Sequence, residues 1–116
     1  MSYDISIENE PCHACGHVKN FEWDGLTWNL RPMMVEAFGG EGIRGFDGMK
    51  ASDVAPILER GLADMKARPD HYRTFNSPNG WGTFDGDREE DSIPFLVERF
   101  LEACKQMPNG IVRVAT

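Results

Sequence analysis

Apolar and polar residues alternate along Tyr3-Asp4-Ile5-Ser6-Ile7-Glu8, with Tyr3, Ile5 and Ile7 on one side of an extended segment. A period of two is the signature of a half-buried β-strand. The alternation returns over residues 18–23. Asp24-Gly25 then predicts a hairpin turn into a short third strand, Leu26-Thr27-Trp28, because this pair tolerates the positive φ angles of a two-residue turn. The period lengthens after that. Pro32-Met33-Met34-Val35-Glu36-Ala37-Phe38, with Pro at its start and Gly39-Gly40 beyond its end, predicts a helix of about two turns. Val54, Ile57, Leu58, Leu62 and Met65 define the apolar stripe of a helix over 52–67, capped by Ser52 and ended by Arg68-Pro69. Ile93, Leu96, Val97, Phe100, Leu101 and Cys104 define another, capped by Asp91 or Ser92 and stopped at Met107-Pro108-Asn109-Gly110. Ile111-Val112-Arg113-Val114 closes the chain as a strand able to pair with the N-terminal ones.

These elements predict an α+β fold in one domain over residues 1–116, a small, mostly antiparallel sheet packed against two long helices and one short helix. The expected core is Ile5, Ile7, Phe21, Leu26, Val54, Leu58, Leu62, Met65, Leu96, Phe100, Leu101 and Val112. Two connections stand out. Residues 39–48 hold five glycines around Ile43, Arg44 and Phe46, a density that signals special backbone geometry. Residues 70–87 form a polar, turn-rich stretch long enough to require either a function or irregular packing of its own. The two connections are expected near one rim of the domain.

Composition removes several function classes. Lys and Arg total 12 against 19 Asp and Glu, a formal charge of −7, which opposes a general nucleic-acid or anionic-membrane surface, since such surfaces concentrate cations against phosphates. No apolar run approaches the roughly 18 residues needed to span a bilayer, and the N-terminus has neither a basic nor an apolar leader region. A cytoplasmic location is the expectation, host cytoplasm if a phage encodes the chain. Three cysteines, an odd number with two of them three positions apart, do not make the framework of a disulfide-stapled secreted domain.

Candidate chemistry concentrates in a few places. Asn76-Ser77-Pro78-Asn79-Gly80-Trp81-Gly82 joins rigid turn residues to an aromatic plane. Trp81, with Trp28, can stack on a flat ligand, while Asn29, Asn76 and Asn79 read polar edges and Arg44 with the Gly42 and Gly45 amides holds an anion. The competing structural reading has Trp81 covering one end of the core, Asn29 capping a helix and Arg44 pairing with a surface carboxylate. Cys12-His13-Ala14-Cys15-Gly16-His17 carries half of a zinc knuckle. Cys12, Cys15 and His17 are candidate metal ligands, and His71 and Cys104 are the more distant donors able to complete a tetrahedral set. Because only half of the motif is visible, the expected state needs no cofactor, with zinc as the alternative. The carboxylates of residues 85–91 read as a solvated, dipole-complementing helix entry rather than a calcium loop. No nucleophile elbow, phosphate-binding glycine-lysine loop or dinucleotide fingerprint occurs.

Taken together, Met1-Ser2-Tyr3-Asp4-Ile5, Leu26-Thr27-Trp28-Asn29-Leu30-x-Pro32-Met33, Gly42-Ile43-Arg44 and Asn76-x-x-Asn79-Gly80-Trp81-Gly82 resemble a group of small bacterial and phage proteins with no assigned activity. Members of that group have Thr-Tyr-Asn in place of Thr27-Trp28-Asn29, and several lack the Cys pair. The resemblance implies a phage or mobile-element accessory protein and raises interference with host defence as a role. The expected function is a non-enzymatic binder of a small nucleotide-like ligand that sequesters a host signal. The alternative is an acidic interaction module for a basic protein surface, and either form allows oligomers.

Overall fold

The structure, a computed structural model, describes residues 2–8, 21–76 and 83–115. The described chain is α+β, with three antiparallel strands in the order β2-β1-β3. These are β1 (Ser2–Glu8), β2 (Phe21–Thr27) and β3 (Ile111–Ala115). The helices are α1 (Arg31–Phe38), α2 (Ala51–Ala67), α3 (Pro69–Arg73) and α4 (Ile93–Gln106). Short 3₁₀ helices occupy Trp28–Leu30, Gly42–Phe46 and Glu89–Asp91. Among the described residues no helix is long and apolar enough to cross a membrane.

The expected turn at Asp24-Gly25 does not form, because residues 21–27 run as one strand. Trp23 and Leu26 are both buried, yet residues three apart on a regular strand face opposite sides. The ladder resolves the conflict: Tyr3 pairs with Leu26 and Ile5 with Trp23, so two steps of β1 oppose three steps of β2. Asp24-Gly25 therefore supplies the extra residue of a β-bulge, which returns both apolar side chains to the core. The third strand of the sheet is the C-terminal one, and β1 takes the centre.

The outer edge of β3 is closed by the chain that precedes α2. Gly48 N–H donates to Val112 O at 2.8 Å, Val112 N–H to Met49 O at 2.8 Å and Val114 N–H to Asp47 Oδ1 at 3.0 Å. An edge whose backbone groups are already paired offers no template to another strand.

Helices α2 and α4 pack side by side and antiparallel, as the ion pairs Lys66–Glu98 and Lys105–Glu59 at opposite ends require. Phe100, fully buried on α4, stacks on Phe21 with centroids 5.6 Å apart and meets Trp23 and Phe46 edge-on at 6.3 Å. Each such pair contributes about 0.5–1.5 kcal/mol beyond the area it buries, which fixes α4 across the sheet. Of the expected core, Phe21 and Leu96 are only partly buried, and the other ten residues are buried. Ser92 caps α4 as expected, its Oγ accepting from Phe95 N–H at 3.4 Å. Ser52 does not cap α2, which starts one residue earlier after Lys50. Leu30 rather than Asn29 stands at the cap position of α1.

Candidate functional site

Residues 70–87, expected to be polar and irregular, contain an ordered base on either side of residues 77–82. Pro69 ends α2 as anticipated but also opens α3, since a proline is well placed at the first position of a helix. That short helix aims Tyr72 and Arg73 at the returning chain. Phe84 is the anchor on the far side: it is 3% exposed and its ring stacks on Tyr72 with centroids 5.9 Å apart. Both of its backbone groups are tied. Asn76 Oδ1 accepts from Phe84 N–H at 2.8 Å, and Phe84 O accepts from Ile93 N–H at 2.9 Å.

Arg73 locks the same base electrostatically. Its guanidinium forks onto Asp85 at 2.9 and 3.1 Å, donates to Asp70 at 2.5 Å and lies 5.8 Å from the Phe84 ring centroid. The bidentate pair orients both partners and strengthens each bond, and the guanidinium draws the Asp85 carboxyl below its ordinary range. Gly86 then turns the chain at φ +65°, where a Cβ would stand 2.7 Å from Asp91 O, so no other residue fits without displacing backbone.

Behind this base lies a second polar cluster. Arg68 donates to both Asp64 oxygens at 2.9 and 2.6 Å, and the hydroxyl of fully buried Tyr72 donates to the same carboxylate. The hydrogen bonds from Arg68 and Tyr72 hold Asp64 down at about 2. Desolvation, with Asp64 adding to it, raises the Tyr72 phenol above its ordinary range, so Tyr72 stays a neutral donor. Glu36 reaches in from α1, with Oε1 3.8 Å from Arg68 Nη2 and 3.3 Å from His71 Nε2.

The residues expected to bind a ligand are only partly brought into view. Asn79 and Trp81, like Cys12, Cys15 and His17, lie outside the described residues. Trp28 is placed by its backbone at the start of a 3₁₀ helix, and Asn29 beside it is exposed. Arg44 is exposed on the 3₁₀ helix packed against α1 and β3, and it makes no ion pair among the described residues. The Gly42 amide is already spent on Gly39 O at 2.9 Å. Asn76, counted as a ligand reader, is the residue that closes the base. Among the described residues no three metal-binding side chains cluster. Of the two distant donors, His71 directs Nε2 at Glu36, and Cys104 is buried in α4, its thiol pushed up to about 12 by desolvation. A separate groove of about 190 Å³ on the outer face of the sheet is lined by Asp4, Ile5, Ser6, Glu22, Arg113 and Ala115. Among the described residues, none of those expected to bind a ligand borders it.

Tyr72 and Phe84 were not singled out by sequence, and Asp85 was read only as part of the solvated helix entry. The available signal was three aromatic residues besides Trp81, namely Tyr72, Phe75 and Phe84, inside an otherwise polar connection. Comparison with protein-family models, with curated proteins and with solved structures gives no match.

Proposed function

We propose that this chain is a non-enzymatic binding protein that uses the acidic stretch of residues 70–91, organised around the base built by Tyr72, Arg73, Asn76 and Phe84, and that its partner is a basic protein surface. The observation that carries this reading is the charge state of the base. Residues 70–91 hold six carboxylates against two guanidiniums, a net −4 of the chain's −7. Both guanidiniums are occupied: Arg73 by Asp70 and Asp85, Arg88 by Glu90 and Asp91. Asp87 and Glu89 remain exposed without an ion pair among the described residues. A surface of this sign speeds encounter with a cationic partner and repels phosphate, and Trp81 is the residue type that anchors such interfaces. In the phage or mobile-element setting implied by the sequence resemblance, the partner is a host protein, and covering its nucleic-acid site is the counter-defence role.

A compact nucleotide-like ligand is the second reading, favoured by Arg44, whose exposed guanidinium makes no ion pair among the described residues. One experiment separates the two. The tagged chain is used to capture partners from host lysate, any captured protein is purified, and its affinity is measured for the wild type, Trp81→Ala and Asp87→Lys/Glu89→Lys; a panel of linear and cyclic nucleotides is titrated in parallel. The expected result is a basic partner whose affinity falls in both variants, with no thermal shift from any nucleotide. A nucleotide that stabilises the fold by about 2.7 kcal/mol at 100 times its dissociation constant, with loss of that effect in Arg44→Ala, would establish the second reading instead. A partner bound equally well by both variants would remove the first.

A further inference from the structure

Ser6 of β1 pairs with Glu22 of β2 on one side and with Arg113 of β3 on the other, so these three residues form one row across the sheet. Ile5, Ile7, Trp23 and Val112 beside them are buried in the core, and the alternation of a strand turns the row to the opposite, outer face. The small side chains of Ser6 and Ala115 leave a depression there. It is the groove of about 190 Å³ lined by Asp4, Ile5, Ser6, Glu22, Arg113 and Ala115, below the roughly 300 Å³ at which drug-sized sites begin and suited to a small metabolite. Its two sides carry opposite charge. Glu22 is exposed and makes no ion pair among the described residues. Arg113 Nε donates to Glu8 Oε2 at 3.3 Å, which orients the guanidinium, and no hydrogen bond or ion pair among the described residues uses its two Nη groups.

From this row we propose that the outer face of the sheet binds a free α-amino acid with a small side chain, its ammonium on Glu22, its carboxylate on the Nη groups of Arg113 and the Ser6 hydroxyl between them. Strand spacing sets the length of the ligand. Neighbouring strands lie about 4.8 Å apart, so Glu22 and Arg113 are separated by roughly 9.6 Å across Ser6. Two charge-assisted contacts of about 2.8 Å each leave roughly 4 Å between them. Standard bond lengths put the nitrogen of an α-amino acid about 3–4 Å from a carboxylate oxygen, whereas each methylene inserted between the two groups carries the charges farther apart. Asp4 adds a second carboxylate to the lining, which favours the ammonium and opposes a ligand that is anionic only. The groove contains no residue of the acidic stretch 70–91, so the proposal goes beyond the binding role argued above and neither depends on the other.

The test titrates glycine, L-alanine and L-serine into the full chain and follows the backbone amide resonances of Ser6, Glu22 and Arg113 by NMR. The expected result is a saturable shift of all three amides that neither N-acetyl-L-alanine, which lacks the ammonium, nor L-alaninamide, which lacks the carboxylate, produces. Glu22→Gln and Arg113→Gln should each weaken binding by roughly tenfold or more, since each removes a hydrogen bond between charged groups. Both positions are exposed, and circular dichroism verifies that the variants are folded. Amides that stay fixed under all three amino acids would overturn the proposal. Equal shifts from L-alaninamide would overturn it too, because the groove would then hold an amine alone, and so would an affinity unchanged in either variant.

Discussion

Gly61 lies buried where α2 crosses α1, and replacing it with alanine sets two effects of opposite sign against each other. A glycine inside a helix costs about 1 kcal/mol relative to alanine, so propensity alone makes Gly61→Ala stabilising. The packing says otherwise. A Cβ at this position would stand 2.5 and 2.6 Å from Phe38 ring carbons and 2.9 Å from Ala37 O. The ring cannot simply swing away, since Phe38 is 9% exposed and packs on Phe46 with centroids 5.6 Å apart, and the carbonyl belongs to the α1 backbone. Overpacking of this kind costs about 1–3 kcal/mol, and involvement of backbone places it in the upper part of that range, leaving a net loss of about 1–2 kcal/mol. In urea, with a slope of about 1–3 kcal/mol/M, the midpoint should fall by roughly 0.5–1 M. Phe38→Leu in the Gly61→Ala background should recover part of the loss, a coupling that a double-mutant cycle isolates. A midpoint above wild type for Gly61→Ala would show that α1 and α2 do not approach this closely.

Three further outcomes follow from the base and its surroundings. Asn76→Ala strands the Phe84 N–H bonded at 2.8 Å and should cost about 1–2 kcal/mol with faster hydrogen exchange at Phe84, whereas Asn76→Asp keeps the acceptor; unchanged exchange in Asn76→Ala would refute the clasp. Asp64, held at about 2 by Arg68 and Tyr72, and Asp85, also lowered, contribute stability that is complete above the ordinary carboxylate value of about 4. That stability disappears as pH falls toward 2, so Asp64→Asn should flatten acid unfolding in this window, and an unaltered acid limb would contradict the network. Elemental analysis should find less than one zinc per chain and chelator should leave the fold intact; one zinc per chain or unfolding on chelation would make Cys12, Cys15 and His17 a structural centre.

Periodicity located the elements whose partners are dictated by burial. The stripes of α2 and α4 read correctly because Val54, Leu58, Leu62 and Met65, or Val97, Phe100 and Leu101, recur at helical spacing. Local turn chemistry misled at Asp24-Gly25, where the demand to bury both Trp23 and Leu26 outweighed hairpin propensity and turned the pair into a bulge. The five-residue α3 escaped notice because Pro69 serves two helices at once, and its one fully buried side chain, Tyr72, gives no periodic signal.

The site was less legible, because its contacts join residues that no spacing rule connects. Arg73 meets Asp85 twelve positions away, and Asn76 meets Phe84 eight positions away. The acidic run that sequence treats as uniform is thereby divided into two kinds of carboxylate. Asp70, Asp85, Glu90 and Asp91 neutralise Arg73 and Arg88, while Asp87 and Glu89 carry no ion pair among the described residues. This division predicts a separation of stability from binding. Asp85→Lys breaks the forked pair and places a cation against Arg73, which should cost about 1 kcal/mol and lower the thermal midpoint. Asp87→Lys with Glu89→Lys should leave that midpoint unchanged and slow association with a basic partner, an effect that added salt diminishes. If the Asp87/Glu89 variant is the one that loses stability, or if its association rate matches wild type at low salt, the unpaired carboxylates do not form the recognition surface.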